Sequence, residues 1–227
     1  MCGGRGTRLG GAVEKPLTPI GGRPMVDRAL DALAGSRVET AHAVVSPHAS
    51  ATRAHLVDER PEESVIDAPG DGYVADLRYA MDAVGAGDGD DASDAGDVGR
   101  SAATPFLTVA ADLPLLDSEA ADGVIDAARA AGAGDAPASL TVCVPAARKR
   151  ELGVSADTAA EVDGREVVPA GINVVGGGKG EGNDGDAAVH VTEDVRLAVN
   201  VNYPSDVRVA EGLLADGAAD SEEGTHR

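Results

Sequence analysis

Apolar and polar positions alternate along the chain in a way that predicts short buried strands separated by amphipathic helices. Apolar residues recur at helical spacing over 24–34 and 74–84, whereas 41–46 and 106–111 are almost unbroken apolar runs, typical of buried strands. The same patterns predict helices at 50–58, 118–131 and 207–214, and strands at 65–66, 140–144 and 171–175. This order predicts an α/β fold with a mostly parallel sheet, in which 106–111 is a central strand buried on both faces.

Gly/Asp-rich stretches interrupt the pattern and carry few apolar residues. They predict acidic loops at about 85–100 and 176–188 and a disordered acidic tail over 216–227. The remainder, residues 1–215, is predicted to be one domain.

The composition indicates an aliphatic core, because 43% of the 227 residues are apolar but only 2% are aromatic. No apolar run approaches the ~18 residues of a membrane span, and no basic and apolar leader begins the chain. Two cysteines form no disulfide framework. We therefore expect a cytoplasmic protein without membrane insertion.

The charge is strongly acidic, with 39 Asp and Glu residues against 19 Lys and Arg residues and a formal net charge of −20. Repulsion from phosphate backbones and anionic lipids argues against nucleic acid as a partner. Such a composition is typical of a halophilic protein, since a salty cytoplasm screens the self-repulsion.

A glycine-rich segment at the N-terminus is the first candidate site. It comprises Gly3, Gly4, Arg5, Gly6, Thr7 and Arg8, and Lys15 follows it. Glycines let backbone N–H groups close on phosphates, while Arg8 and Lys15 supply cations for charge at an α-phosphate. The segment is not a Walker A loop, because no Gly-Lys-Ser/Thr follows, and Leu9 replaces the third glycine of a dinucleotide fingerprint.

The fuller pattern is G-G-x-G-T-R-L, followed six positions after Leu9 by Lys15-Pro16-Leu17. It is similar to the signature of the nucleotidyltransferase superfamily that includes sugar-phosphate nucleotidylyltransferases and molybdenum-cofactor guanylyltransferases. The resemblance implies a Rossmann-like three-layer nucleotidyltransferase fold, with Arg8 and Lys15 as catalytic cations.

Asp112 follows the predicted central strand directly, and carboxylates at such strand ends point into the ligand crevice of α/β sheets. There Asp112 could hold Mg²⁺ or cap the next helix. The A-D-L-P segment resembles the metal-binding turn of the superfamily, which implies that Asp112 is a catalytic metal ligand.

Two further turns resemble parts of superfamily sites. Asn202 lies in an Asn-rich turn whose counterpart supplies a second metal ligand, while Ser205 or Asp206 could cap the last helix. Gly70 and Gly72 lie in a turn similar to one that reads the nucleobase, although an ordinary turn with a helix cap has the same sequence pattern.

The narrower resemblance depends on V-P-A-G-I-N-V-V at 168–175 and on the segment G-D-G-Y-V-A-D-L. Both are similar to the archaeal-type adenosylcobinamide-phosphate guanylyltransferase family. The resemblance implies that GTP and adenosylcobinamide phosphate give adenosylcobinamide-GDP and pyrophosphate in coenzyme B12 biosynthesis. It also implies a homodimer and places Gly171 and Asn173 on the acceptor side.

Two alternatives stay open on the sequence alone. A molybdenum-cofactor guanylyltransferase would share the phosphate and metal contacts and differ at the acceptor pocket. A non-catalytic GTP-binding regulatory protein would not need Arg8, Lys15 and Asp112 together.

The remaining candidates have ordinary structural interpretations. His48 and His55 are expected on a solvated helix face, and Cys143 in the core. The basic run 148–150 is expected to be a solvated loop, with the phosphate of the acceptor as the alternative partner.

The beginning of the chain departs from the superfamily pattern. In that superfamily the glycine-rich loop normally follows a central strand, but only Met1 and Cys2 precede Gly3 here. The first strand therefore looks truncated, and a start assigned several residues too late is favoured over loss of that strand, because loss would expose strand edges.

Overall fold

The computed structural model describes residues 1–3, 7–10, 13–85, 105–132, 137–176 and 187–223, with side chains up to 217. The α-helices are α1 (Met25–Ala34), α2 (Ser50–Glu59), α3 (Tyr73–Gly85), α4 (Ser118–Ala131), α5 (Ala146–Leu152), α6 (Val195–Ala198) and α7 (Pro204–Glu223). The strands are β1 (Pro19–Ile20), β2 (Arg23–Pro24), β3 (His42–Val45), β4 (Ser64–Asp67), β5 (Phe106–Val109), β6 (Leu140–Pro145), β7 (Ala160–Val162), β8 (Arg165–Val175) and β9 (Ala188–Val191). Thr7–Leu9 and Lys15–Leu17 form short 3-10 helices.

The main strands fall into two groups, which the first two residues join. β3 pairs in parallel with β4, and the second group has the order β5-β8-β6-β9, with β7 paired to β8. Cys2 N donates to the Val44 carbonyl at 2.8 Å, and Ala111 N donates to the Met1 carbonyl at 3.2 Å. Met1 and Cys2 therefore lie between β3 and β5, at the position expected for the central strand.

Strand β8 runs against the direction of its neighbours. It is antiparallel to β5, β6 and β7, whereas β6 and β9 are parallel. Its pairing with β6 is irregular between Thr141 and Cys143. The expectation of a mostly parallel sheet is confirmed, because among the main strands that the structure describes only β8 runs against its neighbours.

The core is aliphatic and lies on both sides of β3, which gives the predicted three layers. Val45 packs in a buried cluster with Val26 of α1 and Leu56 of α2, whereas Val44 packs with Ala80 of α3. A larger cluster joins α4 to β5, β6 and β8. Successive residues of a strand face opposite sides, so this split places helices on both faces.

The predicted elements are present, with three differences. β8 extends from Arg165, six residues before the predicted strand, because the turn at Asp163 and Gly164 pairs it with β7. Helix α7 continues to Glu223, nine residues beyond the predicted end at 214. β5 is central, but within it only Thr108 and Val109 are buried; Phe106 and Leu107 are partly exposed.

The predicted acidic loops lie largely outside the described residues, as do 224–227. Within the described ranges, no helix combines the length and apolarity that crossing a membrane requires.

Candidate active site

Lys15, Asp112 and Asn202 meet at one point, although they are far apart in the sequence. Lys15 Nζ donates to Asp112 Oδ2 at 2.6 Å and to Asn202 Oδ1 at 2.7 Å. The side chains of Lys15 and Asp112 are each 18% exposed, so the contact is largely screened from water. Three of the predicted site residues therefore form one cluster.

The elements that carry these residues explain the cluster. Asp112 follows β5 after Ala110 and Ala111, at the carboxyl end of the strand where open α/β sheets bind ligands. Val201 N donates to the Asp112 carbonyl at 3.0 Å, which attaches the turn before α7 to the same end.

Lys15 is positioned by the residue before it. Glu14 accepts hydrogen bonds from Ala51 N, Thr52 N and Thr52 Oγ1, at 3.0, 2.7 and 2.7 Å, at the start of α2. Burial raises the pKa of Glu14, but these hydrogen bonds outweigh it, so the pKa lies below its usual value. The anchored Glu14 brings Lys15 towards the end of β5.

Asp206 holds the turn that contains Asn202. It is 0% exposed and accepts from Asn202 N and Tyr203 N, each at 2.9 Å, and from the backbone and hydroxyl of Ser155. Because Asp206 lies in the first turn of α7, the interpretation as a helix cap is confirmed.

Gly171 lies directly beside the cluster. Its φ is +82°, and a Cβ there would lie 3.1 Å from Asn200 Nδ2, 3.2 Å from Ala110 Cβ and 3.8 Å from Asp112 Oδ1. Only glycine allows both this conformation and this approach. Asn173 lies two residues further along β8, opposite Thr108 and Thr141. It is not one of the residues that line the cavity beside this cluster.

A cavity of about 330 Å³ opens beside the cluster. Its lining includes Gly3, Lys15, His48, Gly70, Gly72, Tyr73 and Asp112. The predicted phosphate, base and metal residues that the structure describes thus border the same cavity, apart from Thr7, Arg8 and Asn202.

The turn before α3 is shaped by positive φ angles of +85° at Gly70 and +109° at Gly72. Asp76 Oδ1 accepts from Gly70 N at 2.8 Å and from Asp71 N at 3.2 Å. A Cβ on Gly70 would approach Pro47 Cδ to 2.8 Å, so this turn requires glycine there.

Arg8 does not reach the cluster. Its side chain is 61% exposed and pairs with Asp157 at 3.0 Å, while its guanidinium lies 5.9 Å from the ring centroid of Tyr203. Tyr203 donates its hydroxyl to Asp157 at 2.9 Å, and that hydrogen bond raises the pKa of Tyr203. Thr7 is exposed in the same short helix, and residues 4–6 lie outside the described residues.

The basic run 148–150 is not a solvated loop, which corrects the sequence interpretation. It lies on α5, and Lys149 is 1% exposed. Lys149 Nζ donates to the Ala198 carbonyl at 2.8 Å and to Asn200 Oδ1 at 2.9 Å. Burial lowers the pKa of Lys149, and the charges of Asp112 and Asp206 oppose that change. Nothing in the sequence of three adjacent basic residues indicates that the middle one is buried.

The two histidines do not share a helix face. His48 precedes α2, and His55 lies on it with Nε2 2.9 Å from Asp27 Oδ1. Cys143 is buried as predicted, and burial raises the pKa of its thiol.

The donor set fits a hard divalent cation. In the described part of the chain, no group of three or more His, Cys, Asp or Glu side chains could hold a metal. Mg²⁺ does not need such a group, because it retains waters and binds one or two carboxylates together with substrate phosphates. The Asp112 carboxylate and the Asn202 amide oxygen, both in contact with Lys15 Nζ, provide suitable oxygens.

The chain is similar to known proteins over most of its length. A curated relative from Methanocaldococcus jannaschii, an adenosylcobinamide-phosphate guanylyltransferase, is 29% identical over 218 residues, covering 94% of this chain and 95% of its own. Among solved structures, a 4-diphosphocytidyl-2C-methyl-D-erythritol synthase has a TM-score of 0.60 at 16% identity, covering 88% of this chain and 92% of its own. A CMP:2-keto-3-deoxy-manno-octonic acid synthetase complexed with CTP has a TM-score of 0.57 at 14% identity, covering 90% and 92%. At these identities the two structures support the fold.

The family model of the MobA-like NTP transferase domain matches residues 1–164. That range includes the glycine-rich segment, Lys15, the turn before α3 and Asp112, and it contains every residue that lines the cavity. The chain therefore belongs to the MobA-like NTP transferase family and is a nucleotidyltransferase.

Proposed function

We propose that this enzyme transfers GMP from GTP to adenosylcobinamide phosphate, giving adenosylcobinamide-GDP and pyrophosphate in coenzyme B12 biosynthesis. The observation that carries the proposal is the cluster of Lys15, Asp112 and Asn202 beside Gly171. The relative from Methanocaldococcus jannaschii supports the choice of acceptor, because its similarity extends over 94% of the chain and so beyond residue 164.

The proposed reaction is a single displacement at the α-phosphorus of GTP. An oxygen of the acceptor phosphate forms the new bond to the α-phosphorus, and the bond from that phosphorus to the oxygen bridging to the β-phosphate breaks. Pyrophosphate leaves with that oxygen and its electron pair. The attacking phosphate is already ionised at neutral pH, so the protein needs chiefly to position the reactants and stabilise charge.

Each residue of the cluster has a proposed task. Lys15 places its ammonium beside the α-phosphate, and Asp112 and Asn202 hold Mg²⁺. Bound Mg²⁺ supplies positive charge that stabilises the phosphoryl oxygens and the leaving pyrophosphate. Lys15 exchanges its contacts with Asp112 and Asn202 for contacts with the substrate.

The turn before α3 is proposed to hold the base. Gly70 and Gly72 bring backbone groups to the lining without side chains, which suits a flat guanine edge. The backbone of residues 3–7 is assigned to the triphosphate together with Arg8, which must first leave its ion pair with Asp157, and Gly171 and Asn173 are assigned to the acceptor side.

A transfer assay with a panel of acceptors tests the proposal. Purified protein in high salt is incubated with Mg²⁺, GTP radiolabelled at the α-phosphorus, and either adenosylcobinamide phosphate or molybdopterin. We expect label only in the cobinamide product, with unlabelled GTP competing better than ATP or CTP.

The other outcomes identify the competing functions. Label in molybdopterin alone would contradict the proposed acceptor and indicate a molybdenum-cofactor guanylyltransferase. GTP binding without transfer to either acceptor would contradict guanylyl transfer to both.

A further inference from the structure

Lys149 is a buried lysine whose ammonium group lies behind the candidate active site. At 1% exposure it has lost nearly all contact with water. Removing a charge from water is unfavourable unless close partners compensate, and an apolar side chain of similar volume is often at least as stabilising. Stability alone therefore gives little reason for a lysine at this position.

The contacts of Lys149 fix the orientation of the Asn200 amide. An ammonium group only donates hydrogen bonds, so the Asn200 atom 2.9 Å away must be the oxygen. Asn200 Nδ2 then points away from Lys149, donating to the Ala170 carbonyl at 2.8 Å and lying 3.5 Å from Asp112 Oδ1.

The two oxygens of Asp112 thereby have different surroundings. Oδ1 faces the amide group of Asn200, whereas Oδ2 faces Lys15 and, beyond it, Asn202. When a partner holds one oxygen of a carboxylate, the other oxygen points in a defined direction. Residues that hydrogen-bond to metal ligands commonly orient those ligands in this way.

We infer that Lys149 is a positioning residue that acts through Asn200 to orient Asp112, so that Oδ2 faces the divalent cation of the reaction. The inference rests on the proposed function for the metal site, although not on the identity of the acceptor. Loss of such partners typically reduces metal affinity or activity by about 10- to 100-fold.

Binding of Mn²⁺ in place of Mg²⁺ tests the inference without turnover. The dissociation constant of Mn²⁺ is measured by electron paramagnetic resonance on protein saturated with α,β-methylene-GTP, which cannot transfer its nucleotidyl group. Lys149→Met should raise this constant at least about 10-fold. Arg150→Met is the matched control, because Arg150 lies on the same helix but is 60% exposed and pairs with Glu166; it should change the constant less than about 2-fold.

A double variant separates positioning from a purely structural role. Lys149→Met leaves polar atoms of Asn200 and Ala198 without their partner, which by itself destabilises the fold. Lys149→Met combined with Asn200→Leu replaces both members of the buried pair by apolar groups and leaves only the Ala170 and Ala198 carbonyls unpaired, so we expect it to regain part of the thermal stability but still bind Mn²⁺ weakly. Recovery of stability together with wild-type Mn²⁺ affinity would overturn the inference.

Failure of the inference and failure of the proposed function give different results. A folded Lys149→Met variant that binds Mn²⁺ with wild-type affinity would contradict the role of Lys149 but not the proposed metal site. Absence of Mn²⁺ binding by the wild-type protein with the analogue contradicts the proposed metal site, and the role of Lys149 with it.

Discussion

At the residue scale, the proposed transfer depends on how Asp112 uses its carboxylate. One oxygen contacts Lys15 and the other lies near Asn200, so the group is held within a layer of partners instead of pointing freely into solvent. Because Asn200 lies against the second oxygen, Asp112 keeps its orientation when Lys15 turns to the substrate, and such preorganisation lowers reaction barriers.

Asp112→Asn should reduce guanylyl transfer by about 10³-fold, because the neutral amide loses several kcal/mol of charge stabilisation through the bound cation. The rate is measured at saturating GTP and Mg²⁺. Asp58→Asn, on the exposed side of α2, is the control and should leave the rate unchanged. Turnover of Asp112→Asn within a few-fold of the wild type would refute the role of Asp112.

Gly171→Ala tests the close approach of β8 to the cluster, and Gly164→Ala is its control. Both glycines have positive φ, so alanine should cost each variant about 1 to 2 kcal/mol of stability. At Gly164 nothing lies within 4 Å of the added Cβ, but at Gly171 it lies 3.1 Å from Asn200 Nδ2. A displacement near 1 Å can cost about 10²-fold in rate, so Gly171→Ala alone should lose activity. Equal activities of the two variants would contradict the positioning role of Gly171.

At the element scale, the start of α2 connects the stability of the fold to the position of Lys15. Glu14 accepts from the first backbone N–H groups of the helix, which have no intrahelical partners, and its negative charge suits a helix N-terminus. Lys15 follows immediately, so the cap also fixes the backbone from which the proposed catalytic cation extends.

Glu14→Gln should therefore destabilise the protein by about 0.5 to 1 kcal/mol at neutral pH. The pKa of Glu14 is lowered in the folded state, so its contribution is fully present above the ordinary value of 4.5 and is lost as pH falls through the folded value. The difference in thermal midpoint between wild type and variant should shrink below about pH 4.5. A difference that stays constant or grows in acid would contradict this, and Asp58→Asn controls for loss of one charge.

How much the sequence could predict differs between elements. Apolar periodicity placed α1, α4 and β5 to within about two residues, because each buries one stripe or one strand against the core. Helix α5 was missed, since its basic residues lack an apolar stripe and Lys149 is satisfied by Ala198 and Asn200, far along the chain.

The same contrast holds within the site. Lys15, Asp112 and Asn202 were predicted together because a family pattern places them, and the structure brings them into contact. Glu14 and Asn200 were not found as site residues, because their importance lies in contacts 37 and 30 residues away that no local pattern records. Arg8 was predicted at the phosphates, but in the structure it pairs with Asp157.

At the scale of the whole molecule, the excess of acidic residues should make stability depend on salt. A formal net charge of −20 destabilises the compact state by self-repulsion, which salt screens. The thermal midpoint should rise between about 0.1 M and about 1 M KCl, and rise less in trehalose of equal osmolality. A midpoint that is insensitive to KCl would contradict adaptation to salt.

The most direct test of the account follows two labels on GTP through one reaction with adenosylcobinamide phosphate. GTP carrying one label at the α-phosphorus and another at the γ-phosphorus is turned over in high salt with Mg²⁺. We expect the α-label to enter the cobinamide product while the γ-label appears in pyrophosphate in equal amount, and both to form about 10³-fold more slowly in Asp112→Asn. Release of the γ-label as inorganic phosphate, with the α-label retained in GDP, would contradict it.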